Sequence, residues 1–281
     1  MLPADIHLLH SSGFYQVRDY KCNCVECHTS KLEYVNTFNL CFVRSGYFEF
    51  DVFRNKLEVH VGRVLITKPG SEHIAHHIDD QPDVCSVFDF KPDFYASLRE
   101  HYRYELPWFF DNNEIHSMLM KCSPEMDYLH DRILRASGSD LHVDELVLKL
   151  VDRVMGTLGN RVDAEPLPAS LKKFHLSTIE KAKNFMLTNF DKNIGLQQLA
   201  DHCCVSLFHF SRIFKSVMKI TPHQYLSEIR LNHARMLLEN TKYPVTQIAM
   251  QCGYNSVEHF ATAYKQRFES RPSELRSLGS Q

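Results

Sequence analysis

Two copies of one pattern, set fifty residues apart, constrain the last hundred residues of this chain more than any other feature. Phe210, Phe214 and Lys215 match Phe260, Tyr264 and Lys265 at that offset, as Ser206 matches Ser256 and Pro222 matches Pro272. Leu199-Ala200 matches Ile248-Ala249 at an offset of 49, so one residue differs in the intervening turn. A tandem pair of helix-turn-helix units is the simplest physical account.

Each unit reads the same way. Leu196 to Ala200 starts a short helix, and the small Ala200 lets the next helix approach. His202 to Val205 makes the turn, and Ser206 caps a second helix whose apolar side carries Phe210, Ile213, Phe214 and Val217. Its other side shows Phe208, His209, Ser211, Arg212 and Lys215. In the second unit Gly253 supplies the turn and Ser256 the cap. Phe260, Tyr264 and Phe268 face inward, with Glu258, His259, Thr262, Lys265 and Gln266 outward. Between the units, Pro222 to Glu239 predicts one long helix of ~27 Å. Such a strut suits two second helices set about one DNA turn, ~34 Å, apart.

Charge agrees with a nucleic-acid partner for this part alone. Residues 170–281 hold 15 Lys and Arg against 8 Asp and Glu, whereas residues 1–169 hold 17 against 26, beneath an overall net charge of -2. A basic tail behind an acidic front is either chance variation between two surfaces or a hint of nucleic-acid binding by one domain, and the paired helices make double-stranded DNA the expected partner.

Over residues 175–278 the chain resembles the AraC/XylS family of bacterial transcription regulators. The resemblance runs from Leu199-Ala200 to Ser211-Arg212-Ile213-Phe214-Lys215. It continues through Thr221-Pro222, Tyr225-Leu226 and Arg230-Leu231, then Ile248-Ala249, Gly253-Tyr254, Phe260 and Arg271-Pro272-Ser273-Glu274. It implies DNA contacts from Phe208, Ser211, Arg212 and Lys215, then from Val257, Glu258, His259 and Thr262. With His209, Lys265 and the capping residues Ser206 and Ser256, these form the expected DNA-binding set. Arg212 suits a bidentate contact to guanine, Phe208 a thymine methyl or a neighbouring helix, and the lysines phosphate. Cys204, Lys219 and Glu269 stand where the family usually has Gly, which predicts strain in those turns.

The front of the chain reads as strands. Leu40–Val43, Tyr47–Val52, Leu57–Val61, Val64–Ile66 and Val84–Phe88 are short, rich in β-branched and aromatic residues, and separated by turn signals. With Pro69-Gly70-Ser-Glu-His73, they resemble the cupin-like effector domain of the same family. A metal-binding cupin needs a His-x-His and Glu set on an earlier strand. Leu40 to Gly46 has none, so His73, His76 and His77 read as structural. Residues 125–135 and 141–158 predict helices. The stripe of Leu141, Leu146, Leu150, Val151, Val154 and Leu158 serves either pairing of two subunits or the chain's own barrel.

The expected fold is therefore α+β. A cupin-like β-barrel sensor spans 1–100, a helical dimerisation segment 101–160 and a linker 161–174. An all-α domain with two helix-turn-helix units completes it over 175–281.

Nine Cys in a chain with neither a signal-peptide profile nor an apolar run of ~18 residues point to a cytoplasmic protein with free thiols or metal ligands. Cys22, Cys24, Cys27 and His28 lie within seven residues, and thiolate with imidazole suits Zn²⁺. Cys41 or Cys85 can take the fourth position in place of His28. Thiol redox sensing and inert buried Cys stay open beside zinc.

The expected function is a DNA-binding regulator, an activator by family habit, that pairs as a homodimer, contacts RNA polymerase and answers a small molecule, metal or redox signal. The competing reading is an alkyl-acceptor repair protein, in which a zinc-thiolate domain precedes an AraC-like one. The strands that follow the Cys cluster speak for a barrel instead, and no Ser/His/Asp or phosphate-loop pattern stands out. No enzymatic activity is expected.

Overall fold

The computed structural model describes residues 4–23, 29–77, 82–137, 140–159 and 169–278. The chain forms two compact units, Met1–Glu180 and Lys181–Gln281.

The first unit is built on ten strands: β1 (Ala4–Ser11), β2 (Tyr15–Cys22), β3 (Glu33–Val35), β4 (Phe38–Ser45), β5 (Tyr47–Val52), β6 (Asn55–His60), β7 (Arg63–Thr67), β8 (Ser71–His77), β9 (Val84–Phe90) and β10 (Ser117–Lys121). They pair antiparallel in two sheets, one of order β1-β2-β9-β4-β7-β10 and one of order β3-β8-β5-β6. Helices α1 (Pro92–His101), α2 (Pro107–Phe110), α3 (Pro124–Leu134) and α4 (Asp140–Gly159) follow β9.

Burial explains the layering. In β5, Phe48, Phe50 and Val52 are buried while Tyr47, Glu49 and Asp51 are only half-buried, the alternation of a sheet with one face on the core. Every residue of β7 is buried, because the larger sheet is covered on both faces. Leu40, Phe42, Val64, Ile66, Phe88 and Phe90 pack with the helices. Cys41, Val43, Leu65 and Cys85 pack with Phe48, Phe50 and Val52 of the smaller sheet. The larger sheet is thus the middle layer of three.

The α4 stripe serves its own unit. Val143, Leu146, Val147, Leu150, Val151, Val154, Met155 and Leu158 share a core with the larger sheet. Leu141, counted in the stripe from sequence, is 79% exposed. Each fully buried side chain of this kind contributes ~1.5–3 kcal/mol, which fixes the helix layer on the sheet. Of the predicted linker 161–174, residues 161–168 lie outside the described residues, and 169–174 form the start of a helix rather than a linker.

After α5 (Ala169–Asn189) come α6 (Leu196–His202), α7 (Leu207–Met218), α8 (Pro222–Asn240), α9 (Val245–Gln251), α10 (Val257–Phe268) and α11 (Pro272–Leu278). Thr221 and Gln224 close a capping box at the start of α8. Helix α8 belongs to both units of the repeat. Near its start Tyr225 meets Phe214 edge-on at 5.5 Å. Farther along, Leu231, Ala234 and Leu238 share a core with Ile248, Phe260 and Tyr264. No described helix is long and apolar enough to cross a membrane.

Candidate nucleic-acid interface

The two helix-turn-helix units repeat at the level of single hydrogen bonds. Cys203 N–H donates to Leu199 O at 3.1 Å and Val205 N–H to Ala200 O at 3.1 Å. In the second unit Cys252 N–H donates to Ile248 O at 3.0 Å and Tyr254 N–H to Ala249 O at 3.0 Å. Cys204 and Gly253 sit at the matching turn position with φ of 57° and 75°. Ser206 accepts from His209 N–H to cap α7, and Ser256 accepts from His259 N–H to cap α10. Both helices end on a left-handed residue, Lys219 at φ 64° and Glu269 at φ 60°. The three non-glycine departures from the family pattern therefore keep the backbone a glycine would adopt, at a steric cost of ~1–2 kcal/mol per residue.

Gly253 is needed for space as well as for φ. A Cβ there would lie 2.8 Å from Phe190 O and 2.9 Å from Asp191 O. Arg230 ties the same corner together, donating from Nε to Phe190 O at 2.8 Å and from Nη2 to Lys192 O at 2.7 Å.

The inward faces are as the periodicity predicts for Phe210, Ile213, Phe214, Phe260 and Tyr264, which are buried, while Val217 and Phe268 are half-buried. Outward, Ser206, Phe208, Arg212 and Lys215 of the first unit and Glu258, His259, Thr262 and Lys265 of the second are exposed. Phe208 is 78% exposed, so it packs on no described neighbouring helix. Arg212, Lys215 and Lys265 make no side-chain hydrogen bond or ion pair with any described residue, which leaves three cations available for phosphate or base edges.

Other members of the expected set are partly engaged. Val257 is half-buried against the core around Phe260 and Tyr264. Ser211 Oγ donates to Leu207 O at 3.0 Å and Thr262 Oγ1 to Glu258 O at 2.8 Å, so these hydroxyls present their lone pairs outward. Ser256 Oγ donates to Glu258 Oε2 at 2.6 Å, and this bond holds the Glu258 carboxyl below its usual range. Ser256, His209 and Val257 are half-buried rather than open.

The first unit holds a cavity of about 460 Å³ between its sheets. One side of it carries the Arg18–Asp89 ion pair at 2.8 Å, with Thr37 Oγ1 donating to Asp89 Oδ1 at 2.9 Å. Opposite, His73 stacks on Phe50 with ring centroids 4.5 Å apart, and burial pushes its pKa down. None of Arg18, Thr37 and Asp89 stood out in the sequence. Strands β2 and β9 bring Arg18 and Asp89 together across 71 residues, a pairing without a local signal.

The expected metal ligands divide. Cys24, Cys27 and His28 lie outside the described residues. Cys41 and Cys85 are buried between the sheets. The adjacent Cys41 thiol, burial and Asp83 all push the Cys85 thiol up, so it stays protonated. Cys22 stands instead beside His77 and Asp83.

Residues 199–277 match the family described as "Helix-turn-helix domain". The transcriptional regulator ArgR of Pseudomonas aeruginosa is 32% identical over 155 residues, covering 54% of this chain and 45% of that protein. The virulence regulon transcriptional activator VirF of Yersinia enterocolitica is 30% identical over 138 residues, covering 49% and 48%. A solved regulator from Chromobacterium violaceum, described by its AraC-type DNA-binding domain, is 31% identical, covers 37% of this chain and 94% of that one, and superposes with a TM-score of 0.35. The chain spans about half the length of the curated relatives it matches. The C-terminal region is a helix-turn-helix domain of the AraC type, as the sequence resemblance implied.

Proposed function

We propose that this chain, whose C-terminal region is an AraC-type helix-turn-helix domain, is a sequence-specific DNA-binding transcription regulator governed by a small molecule in its N-terminal cavity. The observation that carries this reading is the duplicated outward face. Helices α7 and α10 are capped alike, ended alike and held on the shared α8, and each turns an exposed cation-bearing surface away from its core. Two such helices suit successive major grooves on one side of a duplex.

The cavity supports the regulatory half. Its volume falls within the ~300–1,000 Å³ usual for small-molecule sites, and it combines apolar walls with a few fixed polar groups. A ligand biases the regulator only by its differential affinity for two states. The chain acts in the cytoplasm by binding rather than by catalysis. The likeness to VirF, a transcriptional activator by name, favours activation, and contact with RNA polymerase and pairing of two copies belong to the same reading.

Footprinting the full-length chain on fragmented genomic DNA tests this. The expected result is discrete sites, each with two protected major-groove patches about one turn apart. Uniform protection without sequence preference would overturn it.

A further inference from the structure

We propose that Cys22, His77 and Asp83 form a binding site for a zinc-class divalent cation at one end of the N-terminal sheets. The three residues come from separate segments: the end of β2, the end of β8 and the approach to β9. One potential ligand atom from each lies within 4.8 Å of the others. Among the described residues this is the only such group of three, and it differs from the Cys-rich stretch that the sequence puts forward.

The backbone fixes the arrangement before any ion is considered. Cys22 N–H donates to Asp83 O at 2.9 Å. Gly46, at φ 82°, lies so close beneath Asp83 that a Cβ would stand 2.6 Å from the Asp83 Cα. His77 pairs with Phe48 and stacks over its ring at 6.4 Å.

The polar atoms of His77 and Asp83 face each other at a spacing that two ligands of one ion can share. His77 Nδ1 and Asp83 Oδ1 are 3.0 Å apart, and their side chains are 7% and 11% exposed. Among the described residues neither atom has a well-formed hydrogen bond, although the two lie within ion-pair distance of each other. Two buried polar atoms left without a well-formed hydrogen bond carry a desolvation cost, and a cation held between them would offset it. Asp83 Oδ2 accepts from Cys85 Sγ at 3.1 Å, which orients the carboxylate from behind.

Thiolate, imidazole and carboxylate together suit Zn²⁺ and disfavour Mg²⁺ and Ca²⁺, which prefer all-oxygen sets. Three protein ligands leave one tetrahedral position. All three residues border the cavity, so an ion held by them would lie at its wall. The site stands independently of DNA binding.

Titration of the metal-free full-length chain with Co²⁺, followed by absorption and X-ray absorption spectroscopy, tests the assignment. A saturable thiolate-to-cobalt charge-transfer band at one ion per chain is expected, with a first shell of one sulfur and otherwise nitrogen or oxygen. Cys22→Ser should abolish the band. His77→Gln and Asp83→Asn should each weaken Co²⁺ and Zn²⁺ binding at least tenfold, and the double variant Cys24→Ser/Cys27→Ser should keep both. Absence of the band in the unmutated chain, a sulfur-rich first shell, or metal lost only with Cys24 and Cys27 would overturn the proposal. The spectra of the unmutated chain decide the matter even where a variant misfolds.

Discussion

Lys219 and Glu269, fifty residues apart, close α7 and α10 with the same left-handed backbone, each donating its amide to the carbonyl of the lysine four residues before it. Neither side chain gains from that conformation what a glycine would. Relief of the left-handed strain, ~1–2 kcal/mol, exceeds the unfolded-state entropy a glycine adds, ~0.5–1 kcal/mol. Lys219→Gly and Glu269→Gly should each raise stability by about 0.5–1 kcal/mol in urea denaturation. Unchanged or lower midpoints would show that the side chains contribute something the backbone does not reveal.

Gly253 should behave in the opposite sense. Gly253→Ala puts a methyl against two backbone carbonyls and the Arg230 guanidinium at a positive φ. A loss of about 2–4 kcal/mol is expected from strain and overpacking together. Cys204→Gly, at the matching turn, should be neutral or stabilising. Equal effects at the two turns would contradict the close approach seen only at Gly253.

On the outward face, Arg212→Ala should weaken binding to a specific site by about 1–3 kcal/mol and relax preference at one base position. Lys215→Ala should weaken all sequences alike and reduce the salt slope by about one. Mobility-shift titrations across salt concentrations separate the two roles. Equal loss on random DNA for Arg212→Ala would remove its base-reading role.

In the cavity, burial holds His73 below the ordinary histidine value of 6.5. As pH falls through that value the unfolded chain takes up the proton first. Stability is therefore lost in the window from 6.5 down to the lower folded pKa. His73→Gln should flatten this part of the acid limb in denaturation measured against pH. Parallel curves for the two proteins would mean that other groups set the acid sensitivity.

What could be read in advance follows from range. Strands β4 to β7 and β9 announce themselves through β-branched and aromatic runs between turn residues. The HLLH run of β1 and the polar SEHIAHH of β8 do not, because β1 is an exposed edge and β8 gains its place from partners far along the chain. The outward face of α7 and α10 was legible because both periodicity and repetition are local. The Cys-rich stretch from Cys22 to His28 is conspicuous for the same reason. Cys22 meets His77 and Asp83 only after the sheets assemble, a proximity that no short stretch of sequence carries.

The double burial of β4 has a mechanical consequence. Cys41 borders the cavity while Leu40 and Phe42, one peptide to either side, press on the helix layer. A guest that displaced the inner surface would press on the same strand that carries the outer one, since a single strand of backbone separates them. In that arrangement the larger sheet is a thin partition, with the cavity on one face and the core shared with α3 and α4 on the other.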